Sequence, residues 1–234
     1  MAELIRVNLN NDKYIILANS VIGKKKIENQ DSYKIYHDDS SIIICVSDGL
    51  GSAKFSKEGS SKAVELGIEF LKNESFNIGD FKNKWKEMIG HNYEFYDTTF
   101  KFIKITNDYV MYGGIGDGWI SFINEGLFIS ELAEHQFANQ TDTLLNIGIG
   151  GKFINKTIDN KLGIALIATD GFSEDIEKSN SGFLTDMYES LLNEPNVVNN
   201  DLEELMNDWP VKTNADDKTV IFVVKENWLW VNYF

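Results

Sequence analysis

Six aspartates fall where apolar runs begin or end. Asp48 follows Ile42–Val46 and opens the turn DGLGS; Asp170 follows GIALIAT and opens DGFSE. Asp117 sits in GIGDGW between two apolar runs. Asp216 and Asp217 immediately precede KTVIFVVK, and Asp31 precedes SYKIY. Each alone reads as a turn residue, because Asp and Gly are the ordinary currency of turns. Together they suggest more. A carboxylate at the end of a buried strand is held rigidly, and several such ends in one place form a cluster of like charge that cations must neutralise. No histidine neighbours these aspartates and the chain has one cysteine. An oxygen-only donor set suits Mg²⁺ or Mn²⁺ better than zinc, and calcium would need a denser oxygen loop.

The elements that must position these residues are mostly strands. β-Branched and aromatic runs bounded by Asn, Asp and Gly recur as ELIRVNL, KYIILANS, DSYKIYH, SIIICVSD, FKFIKIT, YVMYGGIGDGWISFI, LFISELA, LGIALIATD, KTVIFVVK and NWLWVNYF. Short connections such as Asn10-Asn11-Asp12 and Asn124-Glu125-Gly126 permit hairpins and exclude parallel crossovers. Helical periodicity appears in AKFSKEGSSKAVELGIEFLKN, where Ala63, Leu66, Phe70 and Leu71 share a face. It recurs in DFKNKWKEMIGHNYEFY, where Phe81, Trp85, Met88, Ile89 and Phe95 do so and Asp80 is placed as N-cap. Weaker helical segments are TDMYESLLNE and DLEELMNDW. Two adjacent long helices among some ten strands predict an α+β fold, a central antiparallel β-sandwich with helices on both outer faces. With two prolines and no linker-like stretch, residues 1–234 read as a single domain.

Composition narrows the partners. The chain has 234 residues, 22 Lys and Arg against 36 Asp and Glu, and a net charge of −14. Hydrophobic residues at 43 % exclude a disordered chain at this charge content. The acidic surplus argues against nucleic acid and against an anionic membrane surface. Arg6 is the only arginine, which leaves planar two-point phosphate gripping thin. Cys45, inside SIIICVSD, reads as a small buried hydrophobe. The N-terminus lacks a basic start followed by an apolar block, so a cytoplasmic location is expected.

Five blocks, KIENQDSY (26–33), CVSDGLGS (45–52), YGGIGDGW (112–119), LIATDGFSE (166–174) and ADDKTVIFV (215–223), occur in an order that resembles the metal-dependent protein phosphatases of the 2C type. The resemblance implies that family's antiparallel sandwich and hydrolysis of phosphoserine or phosphothreonine by water activated between two Mg²⁺ or Mn²⁺ ions. It puts Asp48 at the bridging metal ligand, the carbonyl of Gly49 beside it, and Asp170 and Asp216 at the positions that complete the site. Asp31 joins the cluster directly or through water. Asp48, Asp31 and Lys26 are the residues to which it gives catalytic roles. A phosphorylated protein, substrate of a serine/threonine kinase, is the implied partner, in signalling.

The chain departs from the family in places. Lys26 stands where many relatives carry the arginine that grips phosphate; Lys24 and Lys25 beside it either assist or form a solvated basic turn. The third block reads GDGW instead of Gly-Asp-Ser-Arg, which points Asp117 toward orienting backbone. Asp216-Asp217 replaces Asp-Asn, and Leu50 replaces a frequent histidine. The family's flap is not recognisable between Asp117 and Asp170; residues 129–146 are the candidate for a shortened lid, with Glu134 or Asp142 as a candidate for a further ion. His91 and His135 read as surface or packing residues, and Trp228, Trp230, Tyr233 and Phe234 as a closing strand. The competing reading is a phosphatase-like binding or signalling module with weak or no turnover.

Overall fold

A computed structural model describes residues 2–73, 76–132, 141–174, 176, 181–208 and 215–228. The chain order is β1 (Glu3–Leu9), β2 (Asp12–Val21), β3 (Ser32–His37), β4 (Ile42–Ser47), α1 (Ser56–Lys72), α2 (Ile78–Ile89), β5 (Phe100–Ile105), β6 (Tyr109–Ile115), β7 (Trp119–Asn124) and β8 (Leu127–Leu132). It continues with β9 (Ile154–Asp159), β10 (Leu162–Ala168), α3 (Asp170–Ser173), α4 (Gly182–Asn193), α5 (Pro195–Asp208) and β11 (Lys218–Lys225). One sheet has the order β1-β2-β11-β10-β7-β8 and the other β3-β4-β5-β6-β9. Neighbouring strands pair antiparallel in both. The expected α+β sandwich is therefore what the chain forms.

Three apolar layers hold it together. Between the sheets, Ile16, Ile44, Ile103, Ile167 and Ile221 interdigitate. On the outer face of the six-stranded sheet, Leu166 and Val220 pack under Leu184 and Tyr188 of α4 and Leu202 of α5. On the outer face of the five-stranded sheet, Ile43, Cys45 and Phe100 meet Leu66 of α1 and Phe81 and Trp85 of α2. Both faces of each central strand are thus covered, which is why IIICVS and IALIA read as continuous apolar runs and not as alternation. Cys45 is fully buried, and burial pushes its thiol well up, as expected of a packing residue.

Several local expectations are corrected. The N-cap of α2 is Asn77, whose side chain accepts from Asp80 N–H, so Asp80 lies inside the first turn. That helix stops at Ile89, and Tyr93–Tyr96 forms a separate 3-10 turn, which leaves Phe95 exposed and Met88 at the margin. β9 was not anticipated. It is an edge strand whose INKTID sequence buries little and so carries no apolar signature. YVMYGGIGDGWISFI is two strands belonging to different sheets. The chain crosses between them through Gly116 and Gly118, both at φ +100°, where side chains would collide with Thr99 and the Ala168 carbonyl. Trp228 is not in a strand; its ring packs edge-on against Tyr188 and its Nε1–H donates to Lys161 O at 3.1 Å. Glu134, His135, Trp230, Tyr233 and Phe234 lie outside the described residues, while His91 is exposed. Among the described residues no helix is long and apolar enough to cross a membrane.

Candidate metal centre

Antiparallel pairing gathers the aspartates at one end of the sandwich. Ser32 pairs with Ser47, which puts Asp31, just before β3, beside Asp48, just after β4. Ala168 pairs with Val220, and Lys218 with Val21. Asp170 after β10, Asp216 and Asp217 before β11, and the loop after β2 that carries Lys26 therefore share the same end. Asp31 and Asp48 come from the five-stranded sheet, Asp170 and Asp216 from the six-stranded one.

Asp31 is buried, and its Oδ2 accepts from Thr169 Oγ1 at 2.8 Å and from Thr219 Oγ1 at 2.7 Å. Its Oδ1 is also buried and has no donor among the described residues. Burial pushes the Asp31 carboxyl up to about 7; the two hydroxyls oppose the shift and the charges of Asp217 and Asp170 add to it. Asp48 keeps some surface open to solvent, yet its carboxyl sits deep among protein atoms. Burial, then the charges of Asp31, Asp170 and Asp216, hold it well above the usual carboxylate range. Asp170 is raised by burial and by Asp216, although Gly171 N–H donates to its Oδ1 at 2.6 Å. The backbone around Asp48 is fixed: its carbonyl accepts from Thr99 N–H at 2.9 Å and from Thr98 Oγ1 at 2.6 Å, and Gly49 N–H donates to Gln30 O at 3.2 Å.

The last aspartate pair divides its work. Asp217 is buried and accepts from the backbone N–H of Gly23 at 2.7 Å and of Gln30 at 2.8 Å, which pins both ends of the Lys26 loop. Asp216 is half-exposed and meets Lys26 Nζ at 2.6 Å. Lys26 Nζ also donates to Gln30 Oε1 at 2.9 Å. Burial lowers the Lys26 ammonium's pKa, but hydrogen bonding and charge from Asp216, with Asp217 and Asp48, outweigh it and the pKa ends raised. Asp117 Oδ2 accepts from Thr141 Oγ1 at 2.6 Å, and its charge contributes to the raised Asp170. Asp142 accepts from Lys152 N–H at 3.1 Å.

Three contributors escaped the sequence reading. Thr169 and Thr219 are the hydroxyls that hold Asp31, and they meet only because β10 and β11 are neighbours. Lys101, buried in β5, donates its ammonium to Gly116 O and fixes the crossing turn that carries Asp117. Nothing in FKFIKIT marks that lysine as internal.

Four carboxylates, of which Asp31, Asp48 and Asp170 are raised by burial and by neighbouring carboxylate charge, together with the unanswered buried oxygen of Asp31, form a donor set that suits a hard divalent cation. As they stand, no three acidic, histidine or cysteine side chains among the described residues are drawn into one coordination sphere.

The sequence profile of the protein phosphatase 2C family matches residues 23–207. The chain belongs to the protein phosphatase 2C family. Solved structures of similar fold include RsbX in complex with magnesium, at 17 % identity and TM-score 0.65, covering 96 % of this chain and 100 % of that one. Another is the S. agalactiae serine/threonine phosphatase, at 18 % identity and TM-score 0.64, covering 90 % and 99 %. A third is the catalytic domain of the serine/threonine phosphatase PstP in complex with two manganese ions, at 14 % identity and TM-score 0.60, covering 91 % and 98 %. No curated protein matches the chain in sequence. At these identities the solved structures speak for the 2C fold, while the profile match establishes the family.

Proposed function

We propose that the protein is a metal-dependent serine/threonine protein phosphatase whose metal ligands are Asp48, the Gly49 carbonyl, Asp170, Asp216 and Asp31. The observation that carries this reading is the meeting of Asp31, Asp48 and Asp170 at one end of the sandwich, each with a raised pKa, in a chain of the 2C family. Mg²⁺ or Mn²⁺ bound there would supply activation of the attacking water and neutralisation of the phosphoryl oxygens. The protein's own share is positional. Asp48 is held by Thr98 and Thr99, Asp31 by Thr169 and Thr219, and the Lys26 loop by Asp217. Lys26 provides a cation bonded directly to Asp216 of the carboxylate group, where it can attract a phosphate as a point charge.

Hydrolysis of an aryl phosphate or a phosphoserine peptide in Mn²⁺, with Asp48→Asn and Asp170→Asn alongside, tests this. Turnover that falls by orders of magnitude in both variants is expected; background activity in the wild type overturns it. One observation favours a second reading, a 2C-like binding module with little turnover. Lys26 Nζ sits on Asp216, so the ammonium answers part of the charge that cations would answer. A calorimetric titration in which Mn²⁺ fails to bind would select that reading.

A further inference from the structure

The loop at residues 22–30 is pinned at both ends by Asp217, yet its tip is solvent-facing. Lys24 and Lys25 are exposed and their ammonium groups form no ion pair or hydrogen bond among the described residues. Ile27, next to the Lys26 that bonds Asp216, is fully exposed at 102 %. An isolated exposed isoleucine needs no explanation, but this one has company. Gln30 at the end of this loop donates from its Nε2 to Ser56 Oγ at 2.8 Å, which joins the loop to the start of α1. There Phe55 is exposed with Lys54 Nζ 4.9 Å from its ring centre, and Phe55 N–H donates to Phe95 O at 2.7 Å. Phe95 is itself 45 % exposed. Three adjoining segments thus form an apolar rim dotted with unpaired lysines beside the carboxylate group.

The charge of that rim is opposite to that of the molecule. The chain carries −14 overall, whereas residues 22–30 contain three lysines, of which Lys26 is paired with Asp216, against the single acid Glu28. Lys54 adds a further cation beside Phe55, and Glu94 an acid beside Phe95. Several lysines elsewhere have carboxylate partners: Lys62 pairs with Glu58, Lys84 with Glu87 and Lys225 with Asp12. Lys54, like Lys24 and Lys25, has no carboxylate partner among the described residues. A mouth that is basic and apolar on an acidic body favours one occupant by charge complementarity and repels basic segments at a distance.

We propose that this rim, built from Ile27, Phe55 and Phe95 with Lys24, Lys25 and Lys54, selects phosphorylated protein segments in which acidic and bulky apolar residues flank the phosphoserine or phosphothreonine. The proposal rests on the phosphatase reading for its phosphate, but its recognition surface is separate from the carboxylates and is measured separately. The test uses two phosphoserine peptides, one flanked by Asp, Glu and Leu and one by Lys, Arg and Ser. For each, kcat/KM in Mn²⁺ is compared with that for an aryl phosphate, and binding to the Mn²⁺-loaded protein is read by fluorescence anisotropy. The acidic-apolar peptide should be preferred about tenfold at low salt, with the preference shrinking as ionic strength rises. Ile27→Ser and Lys54→Glu should each cut that preference at least threefold while aryl phosphate hydrolysis is unchanged. Equal kcat/KM for both peptides, with aryl phosphate still hydrolysed, overturns the rim and leaves the phosphatase reading standing. Absent turnover with retained preferential binding supports the rim and removes the phosphatase. Absent turnover with equal binding removes both.

Discussion

Lys26 Nζ lies 2.6 Å from Asp216 Oδ1 and 3.7 Å from Asp217 Oδ2, so one ammonium touches two consecutive aspartates that do different things. Asp216 faces the carboxylate group, whereas Asp217 turns inward to the amides of Gly23 and Gln30.

Lys26→Gln removes a cation that competes for Asp216. Mn²⁺ should bind the variant several-fold more tightly by calorimetry, while KM for an aryl phosphate rises. A Mn²⁺ affinity equal to that of the wild type contradicts the competition.

Asp216→Ala and Asp217→Ala should separate function from stability. Loss of Asp217 leaves two amide donors without their acceptor, at about 1–3 kcal/mol each. Urea denaturation should show a destabilisation of a few kcal/mol for Asp217→Ala and little for half-exposed Asp216→Ala. The order should reverse for Mn²⁺ affinity. Equal destabilisation by both would contradict this division.

The pH dependence follows from Asp31. Its folded pKa, about 7, lies above the unfolded value of about 4. Between these values the folded chain holds a proton that the unfolded chain has released, so stability is greatest below pH 4 for this group and falls as pH rises to 7. With chelator present, wild-type stability should decline across that window relative to Asp31→Asn, by at most on the order of a few kcal/mol. Saturating Mn²⁺ should reduce the decline, because a bound cation favours the ionised carboxylates. Parallel melting curves for the two proteins would contradict the raised pKa.

Asn77→Ala should cost about 1 kcal/mol through loss of the α2 cap, and Asp80→Ala no more than a few tenths. Thermal melts of the two variants distinguish the assignments, and a larger loss at Asp80 would restore the sequence-based one.

Asn77 also illustrates what could be read from the sequence. Period-2 and continuous apolar runs exposed ten of the strands' locations in outline, because those strands bury side chains. β9 stayed hidden because Asn155, Lys156 and Thr157 are exposed and its identity comes from pairing with β6. Asp31, Asp48, Asp170 and Asp216 were visible as strand-end acids in family order. The partition between Asp216 and Asp217 was not, since it depends on where Gly23 and Gln30 place their amides. Thr169, Thr219 and Lys101 were invisible for the same reason: their importance is a matter of register between strands far apart in sequence.

Asp31 hangs from one sheet and takes its hydrogen bonds from Thr169 and Thr219 on the other. The interdigitated apolar side chains between the sheets supply no directional bonds, whereas these hydrogen bonds have fixed length and angle. The sandwich is consequently a clasp, latched at the aspartate end. Asp31 and Asp48 sit on one sheet and Asp170 and Asp216 on the other, so the spacing of the site is set by how the two halves of the molecule are aligned.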